Sequence, residues 1–152
     1  TLAAETGLSR REVEGLADAV HDHRDIGASL ASGSFITTGM LIAPCSIKTL
    51  SGIAHCYADN LIVRAADVCL KERRPVVAML RETPLHLGHI ELMERATRYG
   101  VIVMPPVPAF YAKPKTIDDL VDQAAGRALD LLGVHSGLVR RWKEAKSPTP
   151  RR

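Results

Sequence analysis

The sequence predicts a doubly wound parallel α/β sheet of the Rossmann-like kind. Three observations carry this. Apolar runs at 39–43, 75–80 and 101–104 lack the apolar–polar alternation of a half-exposed strand and read as strands buried in a parallel sheet. Segments of helical periodicity separate and follow these runs, which is the pattern of crossover connections. The six aromatic residues are Phe35, Phe110, Tyr57, Tyr99, Tyr111 and Trp142, so the core must be built from Leu, Ile, Val and Ala, as helices packed on a sheet allow.

Each element has its own local signal. Ser9 and Glu12 have the spacing of a capping box, and Val13, Leu16, Ala17 and Val20 follow at helical intervals, which predicts a helix of about three turns. Residues 21–34 are polar and rich in Gly and Ser and read as a loop. The first strand is Gly39-Met40-Leu41-Ile42-Ala43, ended by Pro44-Cys45-Ser46, with Ser46 placed to cap a helix through Leu50 and Ile53. A helix over 60–72 turns Leu61, Ala65, Val68 and Cys69 to one side. The second strand, 75–80, leads to a helix over 87–99 that Gly100 stops. The third strand is closed by Pro105, Pro106 and Pro108. Thr116 caps the last helix, with Asp118 and Asp119 in its first turn and Leu120, Ala124, Ala128, Leu129 and Leu132 as its apolar face. Residues 1–145 form one domain, and 146–152 (Lys-Ser-Pro-Thr-Pro-Arg-Arg) read as a disordered basic tail. Three strands are few for this design and the chain starts at Thr1, so the expectation is that an N-terminal part of the domain is missing.

Bulk properties exclude several classes. A net charge of +3 without a basic, aromatic-interleaved stripe argues against nucleic acid. No apolar run reaches the ~20 residues of a membrane span. The odd set Cys45, Cys56 and Cys69 contains no C-x-x-C pair, which disfavours disulfides and zinc and fits a reducing cytoplasm.

Ligands of open α/β sheets bind at the carboxyl ends of the strands, and three polar clusters fall there. Ser46, Lys48 and Thr49 follow the first strand at a helix N-terminus, where free N–H groups and hydroxyls make a phosphate cradle; simple capping is the alternative. Arg81 and Glu82 follow the second strand, fitted to grip phosphate and to move a proton, or else to form a rim salt bridge. Phe110 and Tyr111 follow the third, Tyr111 either bonding an anion or packing the Pro-rich loop. Arg127 among Ala124, Ala125, Gly126 and Ala128 points to close approach, as at a subunit contact, or to a snorkelling surface cation. The run Arg64, Lys71, Glu72, Arg73 and Arg74 reads as a solvated helix face from which one or two cations turn inward to a phosphate. His86, His89 and Glu91 have near-metal spacing without H-E-x-x-H and are read as no metal site. Cys45 has no base placed beside it and reads as a buried structural thiol.

Several of these segments together resemble the flavin prenyltransferase family, UbiX and its relatives. They are Ala31-Ser32-Gly33-Ser34, Pro44-Cys45-Ser46 with Lys48-Thr49-Leu50, Asp59-Asn60-Leu61-Ile62 with Arg64-Ala65-Ala66-Asp67-Val68, Leu70-Lys71-Glu72-Arg73-Arg74-Pro75, Arg81-Glu82-Thr83-Pro84 and Pro105-Pro106-Val107-Pro108-Ala109-Phe110-Tyr111, with Arg127 and Trp142. The resemblance implies a flavoprotein-type fold whose opening strand and Gly/Ser-rich phosphate turn would precede Thr1. It implies FMN as cofactor, held by Ser46, Ile47, Lys48, Thr49, Arg81 and Arg64. It assigns the phosphate of dimethylallyl phosphate to Tyr111, Arg127 and Lys71, and closure of the site to Trp142. Glu5 and Glu82 would be the proton-handling acids, with Lys71 adding catalytic charge. The implied reaction is a metal-independent alkylation of reduced FMN, and the sequence has no Asp-rich magnesium–diphosphate motif. The implied assembly is a homo-oligomer, a dodecamer, whose prenylated FMN passes to a UbiD-type decarboxylase serving ubiquinone synthesis or phenolic acid decarboxylation. Two other readings remain: a flavin-dependent cysteine decarboxylase of the same fold, and a non-catalytic flavin-binding subunit of a decarboxylase complex.

Overall fold

The strand Val76–Leu80 (β2) is the middle of a three-stranded parallel sheet in the order β1-β2-β3, flanked by Met40–Cys45 (β1) and Val101–Val103 (β3). The computed structural model describes residues 2–141. Val76, Val77 and Ala78 are fully buried, as expected of a β-branched strand covered on both faces. Met40 pairs with Val76, Leu41 with Val77 and Ile42 with Ala78, and Val76–Ala78 in turn pair with Val101–Val103.

The first strand departs from expectation. It runs to Cys45, and Ala43 and Pro44 are exposed rather than buried on both faces. The ladder is irregular between Ile42 and Cys45, where Pro44 has no N–H to donate.

The connections follow the sequence closely. Ile47–Ala54 (α3) and Leu61–Lys71 (α4) link β1 to β2, Leu87–Arg98 (α5) links β2 to β3, and Ile117–Leu131 (α6) follows β3. Ser46 caps α3, Asn60 caps α4, and Thr116 with Asp119 forms a full capping box on α6. Helix α3 packs against α4 and α5, and the core joins Leu50, Ile53, Val63, Ala66 and Cys69 to the strands.

The N-terminal helix is shorter than its periodicity predicts. The Ser9–Glu12 capping box forms, but Arg10–Glu14 (α2) ends at Gly15, and Leu16 and Val20 are exposed. Gly15 is a poor helix former, and a stripe with no surface to cover does not hold a marginal helix together. A short helix over Leu2–Thr6 (α1), not foreseen from the sequence, precedes it. The expected tail at 146–152 lies outside the described residues.

Leu50 is fully buried between α3 and the sheet. Leu50→Ala is expected to cost about 2–5 kcal/mol, whereas Ile36→Ala, at a side chain 87% exposed, costs almost nothing; urea unfolding of both variants checks the contrast.

Candidate active site

Parallel pairing brings the carboxyl ends of β1, β2 and β3 to one edge of the sheet, and the polar clusters line up along it. At the β1–α3 junction, Ser46 accepts the Thr49 N–H at 3.2 Å, and the two hydroxyls lie 3.1 Å apart. The N–H groups of Ile47 and Lys48 open the helix without acceptors inside it, which leaves them aimed at whatever lies beyond the end. The Arg81 N–H donates to the Cys45 carbonyl at 3.1 Å, which sets Arg81 one residue from Ser46. Among the described residues the side chains of Lys48 and Arg81 have no ion-pair or hydrogen-bond partner. Among the described residues Glu82 accepts the neighbouring Thr83 N–H at 3.2 Å and no other hydrogen bond, and no rim salt bridge forms between Arg81 and Glu82.

The β3 end leads into a second feature. The Met104 N–H continues the ladder to the Ala78 carbonyl at 2.8 Å, and the Pro-rich segment then ends in a short turn over Phe110–Ala112. Tyr111 and Arg127 share a mainly apolar cavity of about 320 Å³ with Met104, Val107, Pro108 and Ala124. Arg127 donates to Asp130 at 3.1 Å, and the buried Asp130 carboxylate also meets His135 and Arg141 at 3.1 and 3.2 Å. The hydrogen bond from His135, followed by those from Arg141 and Arg127, holds the Asp130 carboxyl below its usual range against the cost of burial. The Asp130 cluster therefore stabilises the fold above the ordinary carboxylate pKa and is lost as pH falls through the lowered one.

The small residue beside Arg127 has an internal explanation. A Cβ on Gly126 would lie 2.8 Å from Val139 Cγ2 and 3.0 Å from Leu138 Cβ, so the chain's own C-terminal segment makes the close approach.

The cations of α4 and of the turn after it behave differently from Lys48 and Arg81. Arg64 donates to Asp67 at 3.1 Å and to the Ala31 carbonyl at 3.3 Å. Lys71 pairs with Glu72 at 2.6 Å, and Arg74 reaches the Phe35 and Gly33 carbonyls at 2.6 and 2.8 Å. The Ala31-Ser32-Gly33-Ser34 loop is thus pinned along α4 instead of leaving a purely solvated face. Helix α4 ends where β2 begins, so Lys71 stands at the opposite edge of the sheet from Ser46 and Arg81. A single chain does not bring Lys71 to the strand-end row. Glu5 is exposed on α1, without a hydrogen bond or ion pair to the row, and Trp142 lies outside the described residues.

His86 caps α5 by accepting the Gly88 N–H at 3.1 Å, and its ring stacks on that of His89. Cys45 is fully buried, and burial pushes its thiol up to about 11, which keeps it neutral and non-nucleophilic. Gln123 and Asp130 were not singled out in the sequence, although both share a helical stripe with Arg127, four residues before it and three after.

The row of helix N–H groups and hydroxyls at the strand ends, with two cations unpaired among the described residues, defines the class: a parallel α/β protein whose polar groups gather at the carboxyl edge of its sheet. Comparison with known proteins agrees: residues 4–129 match the family model described as Flavoprotein. The chain is 57% identical over 147 residues to the flavin prenyltransferase UbiX of Escherichia coli K12, covering 95% of this chain and 78% of that one. It is 46% identical to a crystal structure of AnUbiX in complex with FMN and dimethylallyl pyrophosphate, with a TM-score of 0.92 and coverage of 96% and 78%. A dodecameric FMN-dependent UbiX-like decarboxylase from Escherichia coli O157:H7 superposes with a TM-score of 0.91 at 48% identity, covering 95% and 78%. The chain belongs to the flavin prenyltransferase family of UbiX-like flavoproteins.

Cys45 and Cys69 are buried and Cys56 is exposed. In a Cys56→Ser background, iodoacetamide should leave the native protein unlabelled and modify both remaining thiols only after denaturation; mass analysis of the two states decides.

Proposed function

We propose that this chain is the enzyme its family name describes, joining the dimethylallyl group of dimethylallyl phosphate to reduced FMN to make prenylated FMN. The observation that supports this most is a pair of cations unpartnered among the described residues, Lys48 and Arg81, at the head of α3, beside the strand end that leads to an apolar-walled cavity carrying Tyr111 and Arg127. The residues fit the cofactor: Ser46, Ile47, Lys48, Thr49 and Arg81 offer N–H donors, hydroxyls and two free positive charges to an anionic nucleotide. Bound reduced FMN supplies the nucleophilic ring atoms that accept the dimethylallyl group.

The chain's own residues handle the leaving group and the medium. Tyr111 and Arg127 hold the phosphate oxygens, and their charge and O–H stabilise the anion as its bond to the allylic carbon breaks. Glu82, whose carboxylate accepts the Thr83 N–H, carries a proton released in the alkylation to the departing phosphate. Met104, Val107 and Pro108 give the cavity an apolar, non-nucleophilic lining for the electron-poor allyl group. Glu5 is a second proton carrier, Arg64 a further cofactor contact, and Trp142 the closing residue.

Lys71 reaches a phosphate across a subunit boundary in this reading. Its place at the far edge of the sheet favours a site shared between copies, and exposed Val107, Phe110, Leu87 and Ile117 provide apolar surface for a homo-oligomer such as a dodecamer. The product passes to a UbiD-type decarboxylase. No helix among the described residues is long and apolar enough to cross a membrane, and the three free thiols suit a cytoplasmic enzyme.

Anaerobic incubation with reduced FMN and dimethylallyl phosphate, followed by mass analysis, should give a flavin heavier by one dimethylallyl unit. Glu82→Gln should lower kcat about 10²-fold or more while FMN still binds. Unmodified flavin with the intact protein would overturn the proposal, and full turnover by Glu82→Gln would remove the proton-transfer role.

A further inference from the structure

Gln123 is 3% exposed, a polar side chain in the interior face of α6, and its amide is used at both ends. Its Oε1 accepts the Arg140 N–H at 2.8 Å, and its Nε2 donates to the Arg140 carbonyl at 3.4 Å. The carboxamide thus reads the backbone of a residue 17 positions downstream as a paired strand would. Arg140 in turn donates from Nη1 to the carbonyl of Ala112 at 3.2 Å, and Ala112 closes the turn whose central residue is Tyr111. Gln123 also lines the cavity shared by Tyr111 and Arg127, and with Ala112 and Arg140 it lines a second cavity of about 270 Å³ on its other side.

The same stripe of α6 fixes the rest of the segment. One turn on, Gly126 admits Leu138 and Val139, and a turn further Asp130 binds both Arg127 and Arg141. The two groups assigned to the substrate phosphate are therefore tied to one returning segment, Tyr111 through Arg140 and Arg127 through Asp130.

We infer that Gln123 is a positioning residue for the phosphate site: by clasping the Arg140 backbone it holds the segment that sets the Tyr111 turn against Arg127. This rests on the reading above that Tyr111 and Arg127 bind the phosphate of dimethylallyl phosphate. Gln123 touches neither flavin nor the reacting atoms in this scheme, so its loss acts on phosphate recognition and leaves the strand-end row intact.

The test compares Gln123→Leu, Arg140→Ala and Arg140→Lys with Tyr111→Phe and Arg127→Ala. Gln123→Leu and Arg140→Ala should raise both the KM for dimethylallyl phosphate and the inhibition constant of inorganic phosphate on the order of tenfold. The Kd for FMN should stay unchanged, and Arg140→Lys should recover part of the loss. A merely structural role would lower thermal stability without moving the two phosphate constants apart from FMN affinity, and that result overturns the inference. Arg140 is exposed and only its side chain is removed, so Arg140→Ala decides the matter if Gln123→Leu does not fold. If Tyr111→Phe and Arg127→Ala shift the phosphate constants and the Gln123 and Arg140 variants do not, positioning fails alone. If none of the five variants shifts them, the phosphate assignment itself fails and takes the inference with it.

Discussion

The site depends on the parallel pairing of β1 with β2 and on its last rung, the Arg81 N–H donating to the Cys45 carbonyl at 3.1 Å. Parallel strands end at the same edge, so the helix cap at Ser46 and the cation at Arg81 become neighbours although 35 residues separate them in the chain. The pairing is held by a middle strand that is shut off from water on both faces, and every side chain in the row inherits its position from that rigid support. Burial of Cys45 belongs to the same constraint. Its thiol anchors the β1 end and is pushed up to about 11, which leaves the chemistry of the edge to oxygen and nitrogen groups.

Charge is distributed unequally around this frame. The cations of α4 and of the turn after it already have partners: Arg64 and Arg74 donate to loop carbonyls, and Lys71 pairs with Glu72. Lys48 and Arg81 at the strand ends answer nothing among the described residues. A free cation beside free helix N–H groups is fitted to an anion from outside the chain, whereas a paired one must first give up its partner. Lys71 therefore needs a competing charge to draw it from Glu72.

Much of this was legible in the sequence because the signals are local. Uninterrupted apolar runs marked the strands, and Ser46, Asn60 and Thr116 marked helix starts that form within a residue of where the pattern puts them. Where local signals failed, the cause lay in tertiary context. The stripe from Val13 to Val20 has helical spacing, but without a surface to cover it yields at Gly15. The exposure of Ala43 and Pro44 follows from strand order and from a proline at the ladder irregularity, neither of which an apolar run reports. Gln123 carried no local signal, and the small residues around Arg127 signalled a close approach without its partner; both roles appear only when residues 138–141 fold back across α6, a contact 17 residues away for Gln123.

Direct titration of FMN into the intact protein and into Arg81→Ala and Lys48→Ala, followed by flavin fluorescence, probes the strand-end row itself. Loss of one charge-assisted contact to an anionic nucleotide should weaken binding by about tenfold or more in each variant, while Arg98→Ala, whose partner Glu94 lies on the exposed face of α5, binds as the parent does. Unchanged affinity in both Arg81→Ala and Lys48→Ala would contradict the assignment of this row to the flavin.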